Sequence, residues 1–290
     1  TLARELLAAS LIDICVNLMH QQFDKDRLEV LIRAKSSGVQ GVLLCADTLD
    51  TAEENLKFIN ETNIRENLSL PELLTTAGTH PHEASHWRND GKDRLRCLLK
   101  ETSISAIGEC GLDFYRDISP REKQIVCFQE QVEIACKERI PLFVHDRESE
   151  SLTNQILKSQ KALPPTVIHC FTGTEKELHE HLDLGCYIGI TGWITDPTRG
   201  QTLRKVVSEI PLNRMLIETD APFLAPKRSA LEQKHLNLPL SFRSSRNEPS
   251  FLPLISAFLA SELRIEKKEL LQQTTQNAID FFGFSGIEAN

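Results

Sequence analysis

Short runs of apolar and β-branched residues, each bounded by polar or turn residues, recur along the chain. They fall at 11–16 (LIDICV), 39–46 (VQGVLLCA), 73–78 (LLTTAG), 104–109 (ISAIGE), 141–145 (PLFVH), 166–171 (TVIHCF), 186–192 (CYIGITG) and 214–219 (RMLIET). Each is too short for a typical helix and rich in Ile, Val, Leu and Thr, so each predicts a strand buried on both faces. Successive runs begin about 29 residues apart, the length of a strand-plus-helix unit.

The intervening segments read as helices. Residues 24–37 place Leu28, Leu31 and Ile32 on one face. Residues 119–138 open with Ser119 as the expected N-cap, Pro120 at the first helical position and Glu122 three residues after the cap, a capping-box pattern. Shorter polar helices are expected at 174–184 and 197–208. A polar loop follows at 225–248, then helices near 249–263 and 266–282. Strict strand–helix alternation implies a parallel sheet. Eight units, with no Gly-rich loop after the first strand, favour a closed (β/α)8 TIM barrel over an open doubly wound sheet. The expected organisation is a single α/β domain over 1–290, with an N-terminal extension at 1–10, an active-face loop at 225–248 and a C-terminal helix at 266–282.

Composition narrows the class. The 290 residues are 40% hydrophobic and 26% charged, an ordinary globular balance that excludes wholesale disorder. No run reaches the length needed to cross a bilayer, so no membrane partner is expected. The net charge of −8 excludes a coat of non-specific affinity for nucleic acid, but not a local basic patch. The eight cysteines form no CxxC pair and read as buried free thiols of a reducing, cytoplasmic compartment. Because the chain begins at Thr1 rather than Met, nuclear or organellar targeting stays open. A monomer is expected.

In a barrel of this kind, chemistry sits at the C-terminal ends of the strands. The residues there are Asp13, Cys15 and Asn17 after the first run, His80 and His82 after the third, and Glu109 and Asp113 after the fourth. His145, His169, and the pair Glu218 and Asp220 follow the fifth, sixth and eighth. Imidazole nitrogens and carboxylate oxygens converging from separate strands make a divalent-metal site. Glu109, on a middle strand, is the natural bridge between two ions, with His145, His169 and Asp220 completing the set. A packed barrel rim can carry a histidine at any one of these places. Four strand ends with such residues make that blander reading unattractive.

Further residues qualify the site. Lys227, Arg228, Lys234, Arg243 and Arg246 concentrate positive charge in the loop after the eighth run, where it would position phosphates; Arg246 is the best single candidate. Trp87 and Trp193 could stack on a base, although packing is the commoner fate of Trp. Asp13 and Asp113 could orient ligands. No GxSxG elbow supports serine hydrolase chemistry.

Five ordered motifs carry a resemblance: IGECGLDF (107–114), HCFTG (169–173), YIGITGW (187–193), IETDAPFL (217–224) and RNEP (246–249). From about Ile12 to Phe282 the chain resembles the TatD family of metal-dependent deoxyribonucleases, which are amidohydrolase-like barrels. The resemblance implies a DNA-hydrolysing 3′-to-5′ exonuclease or general DNase, with Mg²⁺ the expected ion and Mn²⁺ or Zn²⁺ as alternatives. It implies Glu109, His145, His169 and Asp220 as metal positions and His80 as a phosphate or catalytic contact. Much of the wider family has a His-x-His pair at the end of strand one. This chain has Cys15 and Asn17 there, as in the TatD-proper subgroup. One tight metal is therefore expected, with a second ion completed by substrate oxygens. Cys15 reads as an unmetallated small residue, with a thiolate ligand as the alternative.

On this reading the protein is a phosphodiesterase in which Glu109, Asp220 and His80 are catalytic, Asp220 doubling as proton acceptor, while His80 and Arg246 hold phosphate oxygens. An amidohydrolase acting on a C–N or ester bond would use the same metals. A non-catalytic binding barrel is supported only by the missing first-strand pair.

Overall fold

The computed structural model describes residues 10–62, 69–239, 242 and 245–289. Eight strands, β1 (Leu11–Val16), β2 (Val39–Leu44), β3 (Glu72–Ala77), β4 (Ile104–Asp113), β5 (Leu142–Arg147), β6 (Thr166–Ile168), β7 (Tyr187–Ile190) and β8 (Met215–Ile217), form one sheet in sequential order. Every neighbouring pair is parallel. The helices between and after them are α1 (Arg27–Ser36), α2 (Leu49–Glu61), α3 (Gly91–Leu98), α4 (Arg121–Glu138), α5 (Leu152–Lys158), α6 (Glu175–Asp183), α7 (Gln201–Val206), α8 (Arg228–Gln233), α9 (Leu252–Leu263) and α10 (Lys267–Phe282).

The sheet bends round until β8 meets β1. Asp220 N–H donates to the Cys15 carbonyl (3.0 Å) and Asn17 N–H to the Ala221 carbonyl (2.8 Å). The buried Asp13 carboxylate reinforces this seam by accepting from the Thr219 amide (2.9 Å) and hydroxyl (2.6 Å). The result is a nearly closed (β/α)8 barrel.

Two apolar layers follow from the alternation of side chains across each strand. Ile12, Ile14, Leu43, Leu74, Ala106, Phe143, Val167 and Leu216 pack in the interior, where Phe281, Phe282 and Phe284 join them from the end of α10. The second layer lies between strands and helices, with Val42, Leu44, Ile107, Val144, Ile168 and Ile188 meeting Leu31, Phe128, Val132 and Leu259. Each Val, Leu, Ile or Phe side chain among them contributes about 1.5–3 kcal/mol on burial.

Several local expectations need correction. Ser119 is not the cap of α4; Pro120 is, and the Ser119 hydroxyl instead donates to the His82 carbonyl (2.7 Å), tethering the turn after β3. The capping box lies at Thr174 and Glu177, at the start of α6. In α1 the buried face is Val30, Leu31 and Ala34, while Leu28 and Ile32 face solvent. β6 and β8 end earlier than expected, at Ile168 and Ile217, and Cys170 and Asp220 just beyond them adopt positive φ. The region 225–248 contains α8, and Arg243 lies outside the described residues.

Candidate active site

The IGECG run of β4 builds the centre because of its glycines. Gly108 and Gly111 have φ of +150° and +141°, and a Cβ there would come within 2.2 Å of the Phe143 carbonyl oxygen and 1.9 Å of the His145 carbonyl oxygen, respectively. β4 can therefore lie against β5 only without side chains at these positions. That close approach sets Glu109 beside His145.

Three imidazoles converge on one oxygen of Glu109. His169 Nε2 lies 2.7 Å, His145 Nδ1 2.9 Å and His80 Nε2 3.1 Å from Glu109 Oε1. His80 Nδ1 accepts from the His82 amide (3.0 Å), which leaves its proton on Nε2, facing Glu109. Behind this group, Asp113 Oδ2 lies 2.9 Å from His82 Nε2 and 3.3 Å from His145 Nε2. Burial alone would raise Glu109, but His169 and His80, with the hydrogen bonds from His145 and His169, hold its carboxyl well below the usual range. Burial opposes protonation of all three histidines. The adjoining carboxylates nevertheless raise His145 and His169, whereas burial wins at His80 and lowers it.

The β8–β1–β2 side is different. Asp220 Oδ1 accepts from Asn17 Nδ2 (3.1 Å) and faces Cys15 Sγ at 3.6 Å. Burial pushes Asp220 up to about 7, against the pull of His169. Cys45, at the end of β2, sets its Sγ 2.8 Å from Cys15 Sγ. Glu218 accepts from the Cys170 amide, and its other oxygen lies 3.5 Å from His169 Nδ1.

These donors fit a divalent cation. His169 Nδ1 and Glu218 Oε2 are buried and face each other at 3.5 Å without a hydrogen bond, and His145 Nε2 has only the 3.3 Å approach of Asp113. Ligand atoms of His80, Glu109 and His145 lie within 4.8 Å of one another. A cluster of imidazole nitrogens and carboxylate oxygens, some unpartnered, is what an ion would satisfy.

All the expected metal positions thus lie at one end of the barrel. Glu109, His145 and His169 touch, His80 joins them, and Asp220 turns toward Cys15 and Asn17. Arg246 requires a correction. Its terminal nitrogens donate to both oxygens of Asp26 (2.7 and 2.8 Å), to Glu248 (2.9 Å) and to the Gln22 carbonyl (2.9 Å). No N–H on either terminal nitrogen is left for a phosphate. Two nearby carboxylates claim it, and it ties the loop after β8 to the start of α1. Other basic groups of that loop are also engaged: Arg228 with Glu232 and Lys234 with Glu262.

Cationic and aromatic groups gather elsewhere on the rim. Arg147, at the end of β5, stacks its guanidinium 3.9 Å from the Tyr115 ring centroid and 6.0 Å from that of Trp193. Arg199 covers Trp193 at 4.4 Å. Tyr115 is 57% exposed. Trp87 instead donates to Glu130 and packs on Gly91, a structural role. Cys45 and the Tyr115–Arg147 stack were missed by sequence reasoning; the only available signal was their position at or just beyond a strand end.

A nearly closed (β/α)8 barrel with imidazoles and carboxylates converging at its C-terminal mouth defines the class of metal-dependent barrel hydrolases. Residues 12–283 match the family described as TatD related DNase. The chain is 39% identical over 275 residues to a 3′-5′ ssDNA/RNA exonuclease TatD of a Rahnella species, covering 94% of this chain and 98% of that protein. Among solved structures, a TatD-family hydrolase from Entamoeba histolytica superposes with a TM-score of 0.82 at 28% identity, covering 95% of this chain and 99% of that one. A TatD homologue from Escherichia coli superposes at 0.78 with 27% identity, covering 95% and 98%. The chain belongs to the TatD family of DNases and is a hydrolase of the nuclease type. Among the described residues, no helix is long and apolar enough to cross a membrane.

Proposed function

We propose that the protein hydrolyses phosphodiester bonds at the 3′ ends of single-stranded nucleic acid, DNA in the first instance, with Mg²⁺ as its ion. The observation that carries this reading is the convergence of three imidazole nitrogens on Glu109 Oε1. Glu109, His145 and His169, with Asp220, would hold the metal. When bound, the cation supplies Lewis-acid polarisation of a phosphoryl oxygen and lowers the pKa of water. The chain's own groups do the rest. Asp220, which reaches into the same mouth beside Asn17 and Cys15, is placed to take the proton of the attacking water. His80 is neutral, and its one N–H, on Nε2, faces Glu109 Oε1 at 3.1 Å; once a cation takes that oxygen, the N–H can donate to a phosphate oxygen without adding a charge. Arg246 is left out of this assignment by its carboxylate partners.

The rim supports a single strand as substrate. Tyr115 and Trp193, each backed by an arginine, offer π-faces to bases, and only unpaired bases can leave their stack to use them. An amidohydrolase reading has no comparable observation in its favour.

The test is digestion of 5′-labelled single-stranded DNA, single-stranded RNA and blunt duplex DNA, in chelator and then with Mg²⁺ or Mn²⁺. Stepwise shortening from the 3′ end is expected with metal only. Single strands should be faster than duplex by about tenfold, roughly the worth of one stacked base. Hydrolysis that persists in chelator, or none with either metal, would overturn the reading.

A further inference from the structure

Cys15 and Cys45 come from neighbouring strands and meet in the floor of the barrel mouth, both buried. Other buried thiols here have ordinary surroundings. Cys110 Sγ faces the carbonyls of Ile107 and Phe143, and Cys127 Sγ faces Gln131 and the Thr79 carbonyl. The Cys15–Cys45 pair instead sits among carboxylates. The ligand atoms of Cys15, Cys45 and Glu109 lie within 4.8 Å of one another, as do those of Cys15, His169 and Glu218. Cys15 Sγ is 3.6 Å from Asp220 Oδ1. Two buried atoms of this second group, His169 Nδ1 and Glu218 Oε2, face each other at 3.5 Å without forming a hydrogen bond.

We propose that Cys15 and Cys45, with Glu109 as the shared carboxylate, form a thiolate-lined subsite for a borderline or soft d10 cation, Zn²⁺ or Cd²⁺, beside the imidazole half of the centre. Two sulfurs and an oxygen, with a fourth place open to Asp220 or His169, make the tetrahedral mixed donor set such ions favour. Mg²⁺ demands octahedral oxygen and is poorly served there. Without a cation a buried thiol keeps its proton near neutral pH. Binding is therefore an exchange: one M²⁺ enters and both thiol protons leave, with no change of oxidation state. The inference is independent of nuclease activity, because its readouts are the metal–sulfur bond and the released protons.

The experiment is titration of the full-length, reduced, metal-stripped protein with Cd²⁺ in weak buffer, following ultraviolet absorption and proton release. A thiolate-to-cadmium charge-transfer band saturating at one equivalent is expected, with both thiol protons released. Cys15→Ser plus Cys45→Ser should abolish the band and weaken Cd²⁺ binding about a hundredfold, and Cys110→Ser should change neither. Cadmium uptake without the band, or an undiminished band in the double variant, would refute the subsite. If the double variant does not fold, slow alkylation of the wild type with and without Cd²⁺, read by peptide mass spectrometry, decides the matter. Protection of Cys15 and Cys45 supports the proposal. Protection confined to Cys97 or Cys136 overturns it.

Discussion

The two arcs of the barrel mouth are built from different chemistry. On the β3–β6 arc, His80, Glu109, His145 and His169 are packed so tightly that three imidazole nitrogens share one oxygen. On the β8–β1–β2 arc, Asp220 meets an amide and a thiol, with a second thiol behind. The first arc is charged and preorganised before any ion arrives. On the second, two thiols must give up their protons to a cation. One centre can therefore hold a firm half and a conditional half, and the difference lies in which protons must leave.

The largest expected effect comes from removing the group that joins the arcs. Glu109→Ala should lower nucleic-acid hydrolysis more than about a hundredfold, because it deletes the shared ligand and several kcal/mol of charge stabilisation. Asp220→Ala should fall as far. A folded Glu109→Ala protein with unchanged turnover would end the idea that the arcs work as one centre.

Giving the conditional arc the imidazoles it lacks should erase much of the contrast. Cys15→His plus Asn17→His is expected to raise Mn²⁺ stoichiometry in the absence of substrate and to weaken Cd²⁺ binding by about tenfold or more. Elemental analysis after gel filtration reads the first effect. An unchanged metal content would mean that backbone geometry, rather than ligand type, limits this arc.

The pH dependence of metal affinity should separate the arcs further. Asp220 has its pKa raised to about 7, so below that pH it is neutral and must lose a proton to bind. Mg²⁺ affinity should then rise with pH, by up to about tenfold per unit for each proton displaced, until Asp220 and the raised His145 and His169 have lost their protons. Cd²⁺ affinity should keep rising above 7, because the Cys15 and Cys45 thiols still carry protons there. Calorimetric titrations from pH 6 to 9 make the comparison, and identical profiles for the two ions would contradict it.

The smallest effect is expected at Arg246, which belongs to neither arc. Arg246 and Arg33 hold the Asp26 carboxyl down to about 2. Arg246→Ala should cost about 1–2 kcal/mol of stability, read from a urea midpoint, and alter turnover less than about threefold. The side chain is only partly exposed, so modest solvent screening keeps this value low. A large rise in KM with normal stability would restore Arg246 to the substrate.

The eight strands were legible because a strand buried on both faces has to be written as an apolar, β-branched run, and eight of these at near-constant spacing leave few alternatives to a barrel. Glu109, His145 and His169 were legible for a related reason: barrel topology puts every strand's C-terminal end at the same mouth, so position along a strand predicts proximity in space. The motifs added the family. Partnership across the chain was beyond that logic. Cys45 looks like one more apolar residue until the parallel register of β1 and β2 lays it against Cys15. Arg246 looks like a free phosphate ligand until folding delivers Asp26, far away in sequence, to its guanidinium. Ser119 looks like a helix cap until the turn after β3 offers it the His82 carbonyl. Periodicity encodes which face of an element is buried, because that is a property of consecutive residues. Which polar group satisfies which is settled only when distant segments compete for the same donors and acceptors in the folded chain.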